Sequence, residues 1–313
     1  MRRVELLIEE IRDLSGNQRY DSNSGASQAR MVRYLKNAQD KIVREAANSK
    51  SKYLLKEFIL NTVNAQERYP YPEDQYMKNI DTLEYSQNNR DYTEIDAVYT
   101  KDRQSNYNGY PNGYIIREDG YLLTPPSNSG AFLRLNYIRQ PNKPQKRGGQ
   151  ISAITVSSGQ ITAMTLNVAE ASFDGAEINK EYYLCIVNRD GQIKVKNVQY
   201  DSVNTSTGVI TLTSNFTLNV DPLNPDEDDQ TPAVGDYICV GKRCTNLIEL
   251  PDTCESFLIL HANYEAKYGD SSKWSTAVQD DVKMHLAQIM TSFGMGSDDV
   301  RDVPMTNYDY LEL

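Results

Sequence analysis

The sequence predicts an α+β fold: N- and C-terminal helix pairs closing into a helical bundle, with a Tyr-rich β segment and an inserted antiparallel β-domain between them. Three observations predict it. Apolar residues recur at helical spacing near both termini of the 313-residue chain. Tyrosines crowd with prolines and glycines after the first helices, and alternating Val, Ile and Thr runs separated by turn dipeptides follow.

The first helix follows from Val4, Leu7, Ile8, Ile11 and Leu14 over residues 3–14, and the second from Met31, Leu35, Ala38, Ile42 and Ala46 over residues 27–47, with Ser27 as its N-cap. Tyr53-Leu54-Leu55-Lys56-Glu57-Phe58-Ile59-Leu60 reads as a strand. Of 22 tyrosines, 11 lie between Tyr69 and Tyr137, punctuated by Pro70, Pro72, Pro111, Pro125 and Pro126, as short strands and turns would be. Tyrosine there serves either as core filling or as rigid contact area with a polar tip.

From Gly148 the character changes. Ile151–Val156, Ile161–Val168, Tyr182–Val187, Ile193–Val198, Val209–Thr213 and Tyr237–Val240 read as antiparallel strands, with Ser158-Gly159, Asp190-Gly191 and Thr207-Gly208 as turns. Strands this short and this evenly spaced predict a sandwich or small barrel. The closing helices carry Cys254, Phe257, Leu258, His261, Tyr264 and Tyr268 on one stripe, then Trp274, Val278, Val282, His285, Ile289 and Phe293 on another. Asp252 with Glu255 predicts a capping box, and Gly269 and Gly294 predict stops. No such helix stands alone, so the four are expected to share one core of Val4, Leu7, Ile11, Met31, Leu35, Ile42, Phe257, Leu258, Trp274, Val278, Val282 and Ile289. Four regions result: a helix pair with the Tyr-rich segment (1–147), an inserted β module (148–244), the second helix pair (245–294) and a tail (295–313).

Composition excludes several functions. A net charge of −10 argues against a protein that grips nucleic acid by its phosphates. The charge is uneven: residues 1–56 hold 12 Lys/Arg against 7 Asp/Glu, while Asp226–Asp229 and the tail are acidic. Solvation accounts for such faces, and pairing between copies or with a partner is the sharper reading. No apolar run approaches the ~18 residues of a span, and Met1-Arg2-Arg3 leads into mixed Glu and Leu, so neither membrane nor cleaved leader is expected. Cys185, Cys239, Cys244 and Cys254 fit reduced thiols. Cys239-x4-Cys244 with Cys254 and His261 is a loose metal-ligand spacing, but the last two already belong to an apolar stripe, so no metal or cofactor is expected. The compact motifs of nucleotide, serine-nucleophile and zinc-protease chemistry are missing from the sequence, and Asp280 and Asp281 fall on a helix face expected to be solvated.

The order of the helical opening, Tyr114-Ile-Ile-Arg-Glu-Asp-Gly-Tyr-Leu-Leu-Thr-Pro-Pro126, Leu133-Arg-Leu-Asn-Tyr-Ile-Arg-Gln-Pro141, and two helices with Tyr264, Trp274 and Val278 through Phe293 resembles the head-to-tail connector, or adaptor, proteins of tailed and especially short-tailed bacteriophages. The resemblance covers residues 1–147 and 245–300. It implies a non-enzymatic virion protein of the head–tail junction, assembled in the host cytoplasm as a homo-oligomeric ring, a dodecamer. Such a ring binds the portal protein on one side and tail or nozzle proteins, with fibres, on the other, while DNA passes through with transient contact. An acidic channel would repel the phosphate backbone. The module at 148–240 departs from the smallest adaptors. In the tail, Val303, Met305, Tyr308, Tyr310, Leu311 and Leu313 exceed what a solvating segment needs, and Asn307–Leu313 alternates as an edge strand would, so docking to the portal or a neighbouring copy is expected. A carbohydrate- or receptor-binding tail β-protein is the alternative, followed by a tail glycosidase, whose two distant acids leave no compact motif.

Overall fold

The computed structural model describes residues 2–15, 25–49, 51–103, 108–158, 160–167, 183–204, 206–217, 231–269 and 271–295. The fold is α+β, and the chain divides into two compact units. One holds Val43–Pro141 with the chain from Met290 onward. The other holds Met1–Ile42 with Asn142–Ile289.

The first unit is a seven-stranded sheet. Its strands are β1 (Leu55–Asn61), β2 (Arg68–Pro70), β3 (Gln75–Ser86), β4 (Thr93–Ala97), β5 (Gly113–Ile116), β6 (Gly120–Thr124) and β7 (Phe132–Arg139), in the order β1-β7-β3-β4-β5-β6-β2. Every pairing is antiparallel except β4 with β5, where Asp96 lies opposite Gly113. The period-2 alternation of side chains fixes which face is inside. Leu133, Leu135 and Tyr137 of β7 are buried while Arg134 and Asn136 between them are half-buried on the other face. Tyr69, Tyr85, Tyr114, Tyr121 and Tyr137 join Leu83, Ile95 and Leu123 in one core, so these five tyrosines are core filling. A buried hydroxyl usually takes a partner, as Tyr137 and Tyr69 show. Tyr137 donates to Asp74 Oδ1 at 2.6 Å, and the Tyr69 hydroxyl accepts the Val63 N–H at 3.3 Å. Gly120 is required by contact: a Cβ there would sit 2.1 Å from the Tyr69 carbonyl oxygen, where β6 meets β2.

The second unit contains a closed six-stranded barrel. Two short strands, β8 (Lys143–Pro144) and β15 (Cys244–Thr245), flank its staves β9 (Gly149–Ser157), β10 (Gln160–Leu166), β11 (Tyr183–Val187), β12 (Ile193–Asn204), β13 (Val209–Thr217) and β14 (Tyr237–Val240). The circuit is β10-β13-β12-β11-β14-β9. Between the two expected forms, the structure selects the barrel. Closure comes from two strands that each serve two neighbours. The start of β9 pairs with β14 and the rest with β10, while β12 pairs first with β11 and then with β13. Asn197, at φ 55°, lies in a bulge of the β11–β12 ladder between Val195 and Val198, ahead of Tyr200, where β12 turns to β13. Ile151, Ile161, Met164, Leu166, Leu184, Ile186, Val198, Ile210, Leu212 and Ile238 fill the interior. The expected turns fall between these strands, with Ser158 at φ 54°, Gly191 at 94° and Gly208 at 72°.

Four α-helices are described: α1 (Val4–Ser15), α2 (Gly25–Asn48), α3 (Glu255–Tyr268) and α4 (Thr276–Met295). The unit boundary falls within α2 and within α4. α1 packs along α3. A bundle of all four helices is not established by these contacts, because α2 reaches α3 and the segment before α4 through individual polar contacts, described below. Several local expectations are corrected. Leu14 is 52% exposed while Ser15 is buried, because α1 ends there with the Ser15 hydroxyl turned back to donate to the Arg12 carbonyl at 2.9 Å. α2 starts at Gly25, which puts Ser27 inside the helix, not before it. The capping box before α3 does not form: Asp252–Cys254 is a 3₁₀ turn, and the N-cap Cys254 supplies no side-chain bond. The stop at Gly269 does form, with φ 80° and its N–H donating to the Glu265 carbonyl at 2.9 Å. α4 runs to Met295, one residue past Gly294. No helix of the described residues is long and apolar enough to cross a membrane.

Candidate assembly surfaces

The sheet's polar face is built from the residues that alternate away from the core. Arg134 of β7 stands between its cross-strand neighbours on β1 and β3. Its Nε donates to Glu84 at 2.6 Å, and Glu57 of β1 lies 3.8 Å away. Asn136, two residues on, donates to Thr82 Oγ1 at 2.8 Å. The Tyr92 ring covers the guanidinium at 4.0 Å. Glu94 and Asp96 of β4 continue this face, both exposed, with Glu94 directly opposite Glu84 in the β3–β4 register. Four carboxylates thus share this face with one arginine.

Where the chain enters and leaves the barrel, polar side chains converge. Glu249 accepts the backbone N–H of Asn142 at 2.8 Å and its side-chain amide at 2.6 Å, and Gln39 of α2 donates to the Asn142 carbonyl at 2.9 Å. Arg147 joins three elements. Its N–H donates to Glu5 of α1 at 2.9 Å, its guanidinium lies 4.0 Å over the Tyr237 ring, and it donates to the Arg189 carbonyl at 2.6 Å. The side-chain amide oxygen of Asn246 also accepts from Arg147 Nε at 2.7 Å. The first residues of the chain lie along the exit segment: the Val4 N–H donates to the Asn246 carbonyl at 2.8 Å, and the Ile248 N–H to the Arg2 carbonyl at 3.1 Å.

α2 bears on α3 through Asn37, which donates to both Glu265 oxygens at 3.0 and 3.2 Å, and Lys41 sits 5.7 Å over the Trp274 ring. His261 is buried between Phe257 and Trp274, with ring centroids 5.6 and 5.0 Å away. Burial, and then the nearby Lys41 charge, pull its pKa down to about 4, so it is neutral at physiological pH. Tyr264 donates to Asp281 at 2.6 Å, and that bond pushes the phenol up to about 12. Asp281 is therefore engaged, while Asp280 lies 3.6 Å from Lys283 on the exposed side.

All four cysteines are free and buried. Cys185 lies opposite Cys239 in the β11–β14 register, and Cys244 bonds back to both strands: its N–H donates to Cys185 Sγ at 3.4 Å and its thiol reaches the Cys239 carbonyl at 3.2 Å. Among the described residues, no group of three or more His, Cys, Asp or Glu is arranged to hold a metal ion. Cys239 and Cys244 thus lie with Cys185 in a buried thiol cluster of the barrel wall, and Cys254 is on a different element. Sequence spacing misses Cys185, because a strand register brings it there.

Of the twelve core positions, Val4, Leu7, Ile11, Met31, Leu35, Ile42, Phe257, Leu258, Trp274, Val282 and Ile289 are buried and Val278 is half-buried. The docking residues Val303, Met305, Tyr308, Tyr310, Leu311 and Leu313 lie outside the described residues. Sequence reasoning does not single out Arg134, Glu57, Glu84, Glu94, Asn142, Arg147 or Glu249. Only the Leu-Arg-Leu-Asn-Tyr alternation of β7 points toward any of them.

Residues 3–157 match the model of the SU10 adaptor protein family. That stretch is just under half the chain and takes in α1, α2, the whole seven-stranded sheet and the first strand of the barrel. None of the curated proteins matches the chain.

Proposed function

We propose that this protein is a structural adaptor of a tailed phage, a virion component that assembles as a closed ring between the portal and the tail and through which DNA passes. The match of residues 3–157 to the SU10 adaptor family carries this reading. It supports a phage structural protein without catalytic chemistry. The Leu133–Tyr137 run, one of the stretches behind the resemblance, supplies three side chains to the sheet's core inside the matched stretch. In this reading one side of a dodecameric ring meets the portal, the other meets tail or nozzle proteins and fibres, and the segment Val303–Leu313 docks on the portal or on a neighbouring copy. The barrel, most of which lies beyond the matched stretch, is the part available for tail components.

Ring closure from identical copies requires a heterologous interface, one patch meeting a different patch on the next subunit. Native mass spectrometry and negative-stain imaging of the purified protein, alone and with the portal protein of the same phage, test this. A cyclic oligomer of high order, at least with portal present, is the expected result. A strictly monomeric protein that ignores the portal refutes it.

A further inference from the structure

Two surfaces of opposite charge on this chain have the makings of that interface. The first is the exposed side of α2. Arg30, Arg33 and Arg44 are exposed and Lys36 is half-buried, against Asp40 and Glu45 on the same side, while Lys41 is turned to the Trp274 ring. Arg30, Arg33 and Lys36 follow one another at three-residue spacing and Arg44 lies about two turns further on, so the cations form a stripe that from Arg30 to Arg44 runs about 21 Å along a straight helix. Among the described residues, no carboxylate is within ion-pair distance of Arg30, Arg33, Lys36 or Arg44. The stripe stands against a net charge of −10 for the chain as a whole.

The second surface is the polar face of the sheet. Arg134 is already occupied by Glu84 and Glu57, which leaves Glu94 and Asp96 exposed and, among the described residues, without a cation. Glu84 and Glu94 moreover stand directly opposite each other on adjacent strands, an arrangement that disfavours the isolated sheet. From β1 to β4 this face spans three strand spacings, about 14 Å, so a helix laid across the strands covers it with its cations over the carboxylates.

We propose that the α2 stripe of one copy docks on the Glu94/Asp96 face of the next. The proposal rests on the ring reading above and names the surfaces that make the ring. A second copy is favoured over nucleic acid because both complementary patches occur on every subunit, one as donor and one as acceptor, which is what a heterologous contact needs. Two acids also interrupt the basic stripe, which a track for phosphates would avoid. The same charge pairing steers subunits into register and weakens as salt shortens its range.

The test is a charge swap in the full-length chain. Arg30→Glu with Arg33→Glu, and separately Glu94→Lys with Asp96→Lys, should each weaken ring assembly at least about tenfold, read as the subunit concentration at half-assembly, with circular dichroism and melting unchanged. The quadruple variant, with both surfaces reversed, should recover assembly. Rings from either double variant at wild-type concentrations, or folded quadruple variants that stay unassembled, overturn the proposal while leaving the ring reading intact. Intact rings of the α2 variant that have lost retention of duplex DNA overturn it in favour of a nucleic-acid role for the stripe. Wild-type protein that never assembles, with or without portal, refutes the ring reading and this interface together.

Discussion

Glu249 grips Asn142 twice, through the backbone N–H at 2.8 Å and the side-chain amide at 2.6 Å. Asn142 begins the segment that enters the barrel, and Glu249 lies on the segment that leaves it, ahead of α3. The two strands β8 and β15 pair only over two residues. A carboxylate with two short donors therefore holds the barrel's entry and exit segments together where the backbone ladder is least able to. Glu249→Ala removes both charge-assisted bonds and is expected to cost about 2–3 kcal/mol in urea unfolding, and Glu249→Gln about half as much.

Two buried tyrosines of the same core should respond oppositely to losing a hydroxyl. Tyr137 donates to Asp74, which also pairs with Lys56 at 3.0 Å, so Tyr137→Phe leaves a partly buried carboxylate short of a donor and should cost about 1–2 kcal/mol. The Tyr121 hydroxyl is buried with no hydrogen-bond partner among the described residues, and burial pushes its pKa far above the usual phenol range. Tyr121→Phe is thus expected to be neutral or stabilising in equilibrium unfolding.

His261 makes stability pH-dependent in a defined window. Its pKa is 6.5 in the unfolded chain and about 4 when folded, so between those values the unfolded chain binds a proton that the native one refuses. The contribution is fully present above pH 6.5 and is lost as pH falls toward 4. From about pH 7.5 to about pH 5 it amounts to about 2 kcal/mol. His261→Phe, which keeps an aromatic ring against Trp274, should show a correspondingly flatter unfolding free energy over that range.

The thiols provide a direct check on burial. Cys185, Cys239, Cys244 and Cys254 are enclosed, and burial pushes the Cys254 thiol up to about 12. A bulky aromatic disulfide reagent should find no fast-reacting thiol in the native protein and all four after denaturation. Rapid labelling of native protein would contradict the enclosed barrel wall.

Helices and barrel strands are legible in the sequence because both announce themselves through local periodicity. All six staves coincide with alternating runs bounded by Ser158-Gly159, Asp190-Gly191 and Thr207-Gly208. Closure of the barrel is not legible, since it depends on β9 and β12 each dividing between two neighbours, a property of register. The same reason hides the Cys185–Cys239 pairing and the parallel contact of β4 with β5. At helix ends the failures are geometric: Asp252 and Glu255 have the chemistry of a capping box, but a 3₁₀ turn occupies the position where it would form. Tyrosine crowding is ambiguous on composition alone, and the strand faces decide it by pointing Tyr69, Tyr85, Tyr114, Tyr121 and Tyr137 inward. The charged face around Arg134 is hidden because its members come from separate strands, brought together only by pairing.

The pairing of β8 with β15 is parallel, Lys143 beside Cys244 and Thr245 beside Pro144. Parallel neighbours cannot be joined by a tight turn and need a crossover connection of about a dozen or more residues. Here the whole barrel is that crossover. It can vary in stave length or loop size without moving the two ends it connects, and it can be exchanged for another module, but not for a hairpin of roughly two or three residues. The barrel position is thus a socket with a minimum length, which can accept modules of different size while the path of the main chain through β8 and β15 stays fixed.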